Sequence, residues 1–125
     1  MNYVGKLDKQ MYKCITENIL NDDVIITNEQ IAHIKERHPN DYEYYSQYFK
    51  EIIEKPDYII KDNRPDTAVI LKQIIENGKR FQLVLKLCTS KEKEGFKNSI
   101  ITFLKINDKR WNRYLRTKPI VYKRE

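Results

Sequence analysis

The sequence predicts an α+β fold in which N-terminal helices pack on an antiparallel β-sheet. The chain has 125 residues, and its three glycines and four prolines form no linker that would divide it. Apolar residues recur with a helical period in the first half of the chain and with a period of two in the second half. Helices followed by a run of strands are typical of the α+β class. We therefore expect a single domain over residues 1–125, with a basic C-terminal segment at 109–125.

The N-terminal part of the chain predicts short strands and one helix. Loose alternation in the first 16 residues predicts one or two edge strands, and Asp23–Ile26 predicts another. Thr27 is followed three residues later by Gln30, which is the spacing of a helix capping box. The helix that begins there is expected to end at Pro39, because proline cannot continue a helix.

A second helix is expected between Asn40 and Pro56. Apolar side chains in this segment follow the spacing i, i+3, i+4, i+7, i+8, which predicts an amphipathic helix that faces a core. The stripe consists of Tyr45, Tyr48, Phe49, Ile52 and Ile53.

From Asp57 onward the apolar period changes to two, which predicts strands joined by turns. The expected strands are Asp57–Asp62, Ala68–Ile75, Arg80–Thr89 and Ser99–Ile106. The sequence NRPD predicts the first turn, and the dipeptide Asn77-Gly78 predicts a hairpin. The charged loop SKEKEGFKN separates the last two strands. A terminal helix is expected over Asp108–Arg116.

The excess positive charge of the chain lies at its C-terminal end. The sequence has 24 basic and 18 acidic residues, and seven of the basic but one of the acidic residues fall within 109–125. Residues 1–108 are therefore balanced, with 17 of each. Trp111, Tyr114 and Tyr122 lie among these charges, a combination typical of surfaces that bind a phosphate backbone and unstacked bases. A solvated basic tail would have the same composition.

Several function classes lack support in the sequence. No apolar run approaches the roughly 20 residues that span a bilayer, so no membrane partner is expected. Two cysteines and two histidines have no zinc-ligand spacing. The motifs G-x-S-x-G and S-x-x-K and a glycine-rich phosphate loop do not occur. We therefore expect no metal and no cofactor.

The two histidines, His33 and His38, are the candidates for proton transfer. Five residues apart, they lie about 140° apart on a helix, so they are not expected to share a face. His33 and Arg37, at i and i+4, do share one. His33 lies between Ile31 and Ile34, where a histidine either borders the core or lines a cleft. His38, at the helix end, would also be placed to interact with the helix dipole.

Basic and hydroxylic side chains interrupt the apolar late strands. Lys86 lies within LVLKLC, and Ser99, Thr102 and Lys105 lie along SIITFLK. Strict alternation places Ser99 and Lys105 on one face and Thr102 on the other, unless a bulge changes the parity. Such residues suit RNA cleavage, because the ribose 2′-hydroxyl supplies the nucleophile. The protein then needs only a proton-transfer group and cations for the developing charge.

Four segments, taken in order, resemble the phage-associated branch of the barnase–EndoU–colicin–RelE nuclease superfamily. These segments are VIITNEQIAHIKERHP, KPDYII, RFQLVLKLC and KNSIITFLKI, and the resemblance covers about positions 10–115. The family pattern falls on Thr27, His33, Ile34, Arg37, His38 and Pro39, on Pro56–Ile59 and on Asn98–Thr102. The resemblance implies a compact α+β ribonuclease fold. It also implies metal-independent endoribonuclease cleavage of tRNA or other structured RNA that leaves a 2′,3′-cyclic phosphate.

Within that resemblance we expect two sets of site residues. In the catalytic set, His33 acts as general acid or base, Arg37 and Lys86 contact the scissile phosphate, and Ser99 and Thr102 position the phosphate or the 2′-hydroxyl. The RNA-binding set consists of His38, Arg110, Arg113 and Arg116.

The expected partner is RNA, and the resemblance also admits a cognate immunity protein or antitoxin. Members of this superfamily occur as toxin domains of phages and mobile elements, so the expected location is the cytoplasm, including that of a target cell. Two alternatives stay open at this point. A non-catalytic RNA- or protein-binding module would be favoured by a buried, fully hydrogen-bonded His33. A structural phage protein would be favoured by an exposed apolar patch.

Overall fold

The computed structural model describes residues 2–89 and 96–125, and this part of the chain is α+β, as the sequence predicts. Its strands are β1 (Asn2–Lys6), β2 (Asp23–Ile26), β3 (Tyr58–Lys61), β4 (Thr67–Gln73), β5 (Arg80–Lys86), β6 (Asn98–Ile106) and β7 (Ile120–Lys123). Its helices are α1 (Lys9–Tyr12), α2 (Asn28–Arg37), α3 (Asp41–Tyr45), α4 (Phe49–Glu54) and α5 (Asp108–Thr117). None of these helices is long and apolar enough to cross a membrane. Residues 90–95 of the predicted loop SKEKEGFKN lie outside the described residues.

The described strands form one sheet of seven strands in the order β1-β2-β6-β5-β4-β3-β7. Neighbouring strands are antiparallel except for β2 and β6, which are parallel. The sheet is therefore mixed, and the prediction of an antiparallel sheet is wrong at this pair. These two strands are far apart in sequence and no hairpin joins them, so no local turn fixes their relative direction.

Helix α2 begins and ends where the sequence predicts. The hydroxyl of Thr27 accepts a hydrogen bond of 3.1 Å from the backbone N–H of Gln30. At the other end His38 leaves the helical region, with φ −136° and ψ 69°. Pro39 explains this, because a following proline disfavours the α conformation. Ile34 is the buried side chain of this helix.

The predicted second helix is divided into three short pieces, namely α3, a 3-10 turn over Ser46–Tyr48, and α4. The break occurs at Tyr45, whose φ of −128° and ψ of 0° are not helical. The rings of Tyr45 and Tyr48 lie 5.0 and 5.9 Å from the ring of Phe81 in the sheet. The apolar stripe is thus correct, since it faces the core, but the helix is not continuous.

The sheet has a different apolar cluster on each face. The larger cluster lies on what we call the main core face, and it includes Phe81, Leu83, Leu85 and Leu87, which the sequence predicts to share a face. Buried residues of α2 and α4 belong to the same cluster. The smaller cluster lies on the opposite face, which we call the cleft face. It consists of Ile60, Val69, Leu71, Val84, Leu104, Ile106 and Trp111 of α5.

A β-bulge in β6 shifts the alternation of side chains. Val84 lies opposite Thr102, whereas the next residue, Leu85, lies opposite Ile100. Ile101 is therefore an extra residue without a partner position on β5. Residues before and after Ile101 are no longer related by simple parity.

The bulge corrects the sequence-based placement of the polar side chains on β6. Ser99 lies opposite Lys86 of β5, and Thr102 lies opposite Val84 of β5. Because Val84 and Lys86 are two residues apart on β5, their side chains lie on the same face of the sheet. Ser99 and Thr102 therefore share the cleft face. Lys105 lies opposite Phe81 and therefore belongs to the other side of the sheet. The prediction that Ser99 and Lys105 share a face, with Thr102 opposite, is wrong for this reason.

Strand β7 was not predicted from the sequence. It pairs antiparallel with β3 and forms one edge of the sheet. Its end is held by Asp57, whose carboxylate lies 2.9 Å from Nη2 of Arg124 and whose backbone carbonyl accepts a hydrogen bond from the N–H of Arg124. Part of the basic C-terminal segment is therefore a strand.

Candidate active site

Helix α5 packs on one end of the cleft face. The ring of Trp111 lies 5.8 Å from the ring of Tyr58 in an edge-on contact, and the guanidinium of Arg80 lies 4.7 Å from the Trp111 ring. Arg80 also donates a 3.0 Å hydrogen bond to Asp108 in the first turn of α5. These contacts fix the helix, and an open cleft remains on the same face of the sheet beside Tyr114.

We call this cavity the inner cleft, and its volume is about 340 Å³. Its floor is apolar and consists of the buried side chains of Ile60, Val69 and Val84, with Gln82 beside them. Its charged lining residues are Arg37, Lys61, Asp62, Arg64 and Lys118. Four of these five side chains are basic, so the inner cleft attracts anions.

A second cavity of about 360 Å³ adjoins the inner cleft, and we call it the histidine groove. Its lining residues come mainly from α2 and β6, and they are Gln30, His33, Ile34, Arg37, His38, Arg64, Ile101 and Thr102. Arg37, Arg64, Ile101 and Thr102 also line the inner cleft. The two cavities are therefore parts of one continuous groove.

His33 lies at the surface of the histidine groove. Its side chain is 52% exposed, and its Nε2 atom is 4.0 Å from a carboxylate oxygen of Glu29, one turn earlier on α2. His33 is therefore not the buried, fully hydrogen-bonded residue that would favour a non-catalytic module. Its ring is accessible to a ligand in the groove.

His38 lines the same groove as His33, although helical geometry predicts different faces for them. The reason is the conformation of His38, which is the C-cap and lies outside the helix. The rotation of 100° per residue therefore does not apply to it. The expectation that the two histidines are separated is wrong for the folded chain.

Arg64 is a site residue that the sequence analysis missed. It lies in the NRPD turn and lines both cavities. Its Nε donates a 2.7 Å hydrogen bond to Asp62, and its backbone N–H donates another of 3.0 Å to the same oxygen. Burial acts to raise the pKa of Asp62, but the hydrogen bonds from Arg64 outweigh it and hold this pKa below its ordinary value. An aspartate two residues before a turn arginine was the one signal in the sequence.

Lys86 and Ser99 lie opposite each other on the cleft face. Neither of them is among the described residues that line the inner cleft or the histidine groove. The Lys86 Nζ atom lies 3.4 Å from the carbonyl oxygen of Pro65 and 4.0 Å from a carboxylate oxygen of Asp66. The structure thus brings Lys86 to the turn that carries Arg64, and it does not place Lys86 or Ser99 beside His33.

The three arginines predicted on the terminal helix lie on α5. Arg110 and Arg113 line a separate cavity with Lys105 and Lys109, and Arg116 is exposed in the last turn of the helix. The guanidinium groups of Arg110 and Arg113 lie 5.4 and 5.7 Å from the ring of Tyr114. Because Tyr114 also lines the inner cleft, this basic helix surface adjoins the positively charged rim of the cleft.

The continuous groove brings together a specific set of chemical groups. Imidazole transfers protons near neutral pH, and a threonine hydroxyl both donates and accepts hydrogen bonds. Each guanidinium can donate two parallel hydrogen bonds to the oxygens of one phosphate. His33, His38, Arg37, Arg64 and Thr102 supply these groups. Within residues 2–89 and 96–125, no three His, Cys, Asp or Glu side chains form a group that would hold a metal ion.

The chain matches a family model of nucleases. A family model described as phage-Barnase-EndoU-ColicinE5/D-RelE like nuclease2 matches residues 2–123, which is nearly the whole chain and includes every residue of the groove. No curated protein and no solved structure was found to match the chain.

Proposed function

This chain belongs to the family of phage barnase–EndoU–colicin–RelE-like nucleases, and on that premise we propose that it is a metal-independent endoribonuclease. The family identification made from four ordered motifs is confirmed by the match over residues 2–123. The proposal is carried by one observation, which is that His33, Arg37, Arg64 and Thr102 line a single groove. These residues supply a proton-transfer group, two cations and a hydroxyl without any further component.

In the proposed reaction the ribose 2′-oxygen attacks the adjacent phosphorus while its proton passes to a base. The bond from phosphorus to the 5′-oxygen of the next nucleotide breaks, and that oxygen takes a proton from an acid. The products are a 2′,3′-cyclic phosphate and a 5′-hydroxyl end. We assign one proton transfer to His33 and the other to His38, because both histidines line the same groove and histidine is suited to both roles.

The arginines of the groove are proposed to stabilise the charge that develops on the phosphoryl oxygens. Arg37 is exposed at the C-terminal end of α2, and Arg64 is oriented by its 2.7 Å hydrogen bond to Asp62. A guanidinium that is already oriented needs no reorganisation when the charge develops, which makes its contribution to the rate large. The hydroxyl of Thr102 would position the phosphate or the 2′-hydroxyl.

The substrate is proposed to be tRNA or another structured RNA with an accessible single-stranded segment. The groove is open and its charged lining is mostly basic, and the basic face of α5 extends this surface through Tyr114. Such a surface binds a phosphate backbone, and only RNA carries the 2′-hydroxyl that the proposed reaction requires.

The test is incubation of the purified protein with total tRNA in the presence of EDTA, followed by mapping of the 3′ ends. We expect discrete fragments that end in a cyclic phosphate. His33→Ala should lower the cleavage rate at least about 100-fold, because loss of a general acid or base has effects of this size. The matched control is Glu36→Ala, which removes an exposed side chain of the same helix and should leave the rate unchanged.

Two results would contradict this proposal. Full cleavage by His33→Ala would exclude His33 from the chemistry. RNA that binds, as seen by a gel shift, but stays intact with the parent protein would favour the non-catalytic RNA-binding module. Equal unfolding midpoints for the parent and His33→Ala are needed for either conclusion.

A further inference from the structure

Gln82 is a buried polar side chain in the floor of the inner cleft. It lies on β5 between Leu71 of β4 and Leu104 of β6, and it is only 6% exposed. Its Oε1 atom is buried and has no hydrogen-bond partner among the described residues. A buried amide oxygen without a partner destabilises a fold, and the neighbouring positions are apolar. Folding alone would therefore favour an apolar residue at position 82.

The inner cleft places a buried amide beside apolar side chains. Ile60, Val69 and Val84 form an apolar floor, and Ile101 and Tyr114 are further apolar or aromatic lining residues. A nucleobase has two faces that are favourably removed from water and an edge of hydrogen-bond donors and acceptors. Gln82 lines the cleft beside this floor, so an amide turned towards the cleft would meet such an edge.

We propose that the inner cleft is a nucleobase pocket and that Gln82 recognises the edge of adenine. A glutamine amide presents one donor and one acceptor side by side, which complements the amino group and ring nitrogen of adenine. This holds whichever end of the amide carries the oxygen, because the group rotates by half a turn to suit the base. The base would give the buried amide the partner that the protein does not supply.

This inference deepens the proposed function, from which it takes an RNA nucleotide as the ligand. Arg37 and Arg64 line both cavities, so they lie where the phosphate of the same nucleotide would be held while its base occupies the inner cleft. The pocket would then select the nucleotide next to the cleaved bond. The histidine groove would cleave the phosphate backbone, which is the same at every nucleotide and so does not itself select one.

The test measures binding, so it does not depend on cleavage. The protein is titrated with adenosine 3′-monophosphate and with inorganic phosphate, and the side-chain amide resonances of its glutamines are followed by NMR. We expect adenosine 3′-monophosphate to bind about tenfold more tightly than phosphate, as a bidentate base contact gives a difference of this order. Gln82→Leu should reduce its affinity to that of phosphate without lowering the unfolding midpoint.

Two control variants separate the base from the phosphate. Arg64→Ala should weaken both ligands by the same factor, because it removes a phosphate contact only. Gln47→Leu changes an exposed glutamine on the 3-10 turn, outside both cavities, and should leave the ratio of the two affinities unchanged. The other three nucleoside 3′-monophosphates are titrated in parallel. A stronger affinity for one of them that Gln82→Leu abolishes would overturn adenine as the recognised base and support the pocket.

Equal affinities for adenosine 3′-monophosphate and phosphate would overturn the pocket, and so would a Gln82→Leu protein that keeps the parental ratio. No detectable binding of any nucleotide at millimolar concentration would overturn it as well. Failure of the ribonuclease proposal is a separate result. In that case no RNA is cleaved, although adenosine 3′-monophosphate still binds through Gln82.

Discussion

The two faces of the sheet differ in how completely helices cover them. On the main core face, residues of α2 and α4 and of the central strands form one buried cluster, in which Phe81, Leu83 and Phe103 are fully inaccessible. On the cleft face, α5 packs at one end only, and beside it lies a groove with charged lining residues. The same strands thus stabilise the fold on one side and present part of the proposed site on the other, while α2 of the main core face supplies His33 and Arg37.

Two consecutive residues of β6 test this division most directly. Phe103 lies in the main core, where its ring is 4.7 Å from that of Phe49 and 5.4 Å from that of Phe81. Thr102 lies on the cleft face and lines both cavities. We expect Phe103→Ala to lower the free energy of unfolding by about 3–5 kcal/mol, because it removes a large buried ring and leaves a cavity. Urea denaturation followed by circular dichroism measures the loss.

The matched variant is Thr102→Val, which should change the free energy of unfolding by less than about 1 kcal/mol, since the side chain is only partly buried. It should instead slow RNA cleavage. Phe103→Leu keeps the comparison measurable if the alanine variant does not fold. Similar stability losses at positions 102 and 103 would show that the cleft face contributes as much to the fold as the main core face.

The main core face was largely predictable from the sequence, because local rules determine it. Thr27 and Pro39 mark the two ends of a helix, Gly78 adopts a positive φ of 70° in the loop between β4 and β5, and every second residue of β5 is apolar. The cleft face was not predictable from the sequence, because the bulge at Ile101 changes which side chains of β6 lie on it. Both Ile100 and Ile101 are apolar, so hydrophobicity alone does not show which of them leaves the alternation.

The remaining site residues depend on contacts between distant parts of the chain. Arg64 reaches the groove only because the turn before β4 lies near the end of α2, and no period of the sequence predicts that proximity. His38 joins His33 because it leaves the helix one residue before Pro39. β7 has only four residues, and its pairing with β3 spans half of the chain. Sequence patterns predict elements, whereas the groove is formed where these elements meet.

The second prediction concerns Arg64, which lines both the inner cleft and the histidine groove. Arg64→Ala should lower kcat/KM for RNA cleavage about 10- to 100-fold, because a hydrogen bond to a charged group contributes about 1.5–3 kcal/mol. The free energy of unfolding should change by less than about 1 kcal/mol, since the Arg64 side chain is 59% exposed. Arg64→Lys keeps the charge but not the paired donors, so we expect an intermediate rate. A rate unchanged in both variants would remove Arg64 from the site.

Asp62 keeps Arg64 oriented over the pH range of such an assay. The pKa of Asp62 is lower in the folded chain than its ordinary value, because the hydrogen bonds from Arg64 outweigh the effect of burial. The stabilisation from this pair is therefore fully present above that ordinary value and is lost as the pH falls through the lower, folded value. Near neutral pH, the effect of Arg64→Ala reports the arginine and not a change in the charge of Asp62.

The smallest effect is expected for basic side chains of α5 that lie outside the groove. The double variant Arg113→Ala/Arg116→Ala should weaken RNA binding less than about tenfold at physiological salt. Both arginines are exposed, so salt screens their attraction to the phosphate groups of the RNA. It should also reduce the slope of log K against log salt by about 1.4, which is 0.7 for each lost phosphate contact. The value of kcat at saturating RNA should not change, in contrast to Arg64→Ala.

A control variant that removes two lysines near α1 tests whether α5 is a defined RNA-binding surface. Lys9 and Lys13 are exposed on and beside α1, and their replacement by alanine removes the same charge from a region that contributes to neither cavity. If RNA follows the groove onto α5, the α1 variant keeps the parental salt slope and only the α5 variant lowers it. If both variants lower the slope equally, net charge attracts the RNA and α5 has no specific part in binding. In that case the groove alone distinguishes the cleft face from the main core face.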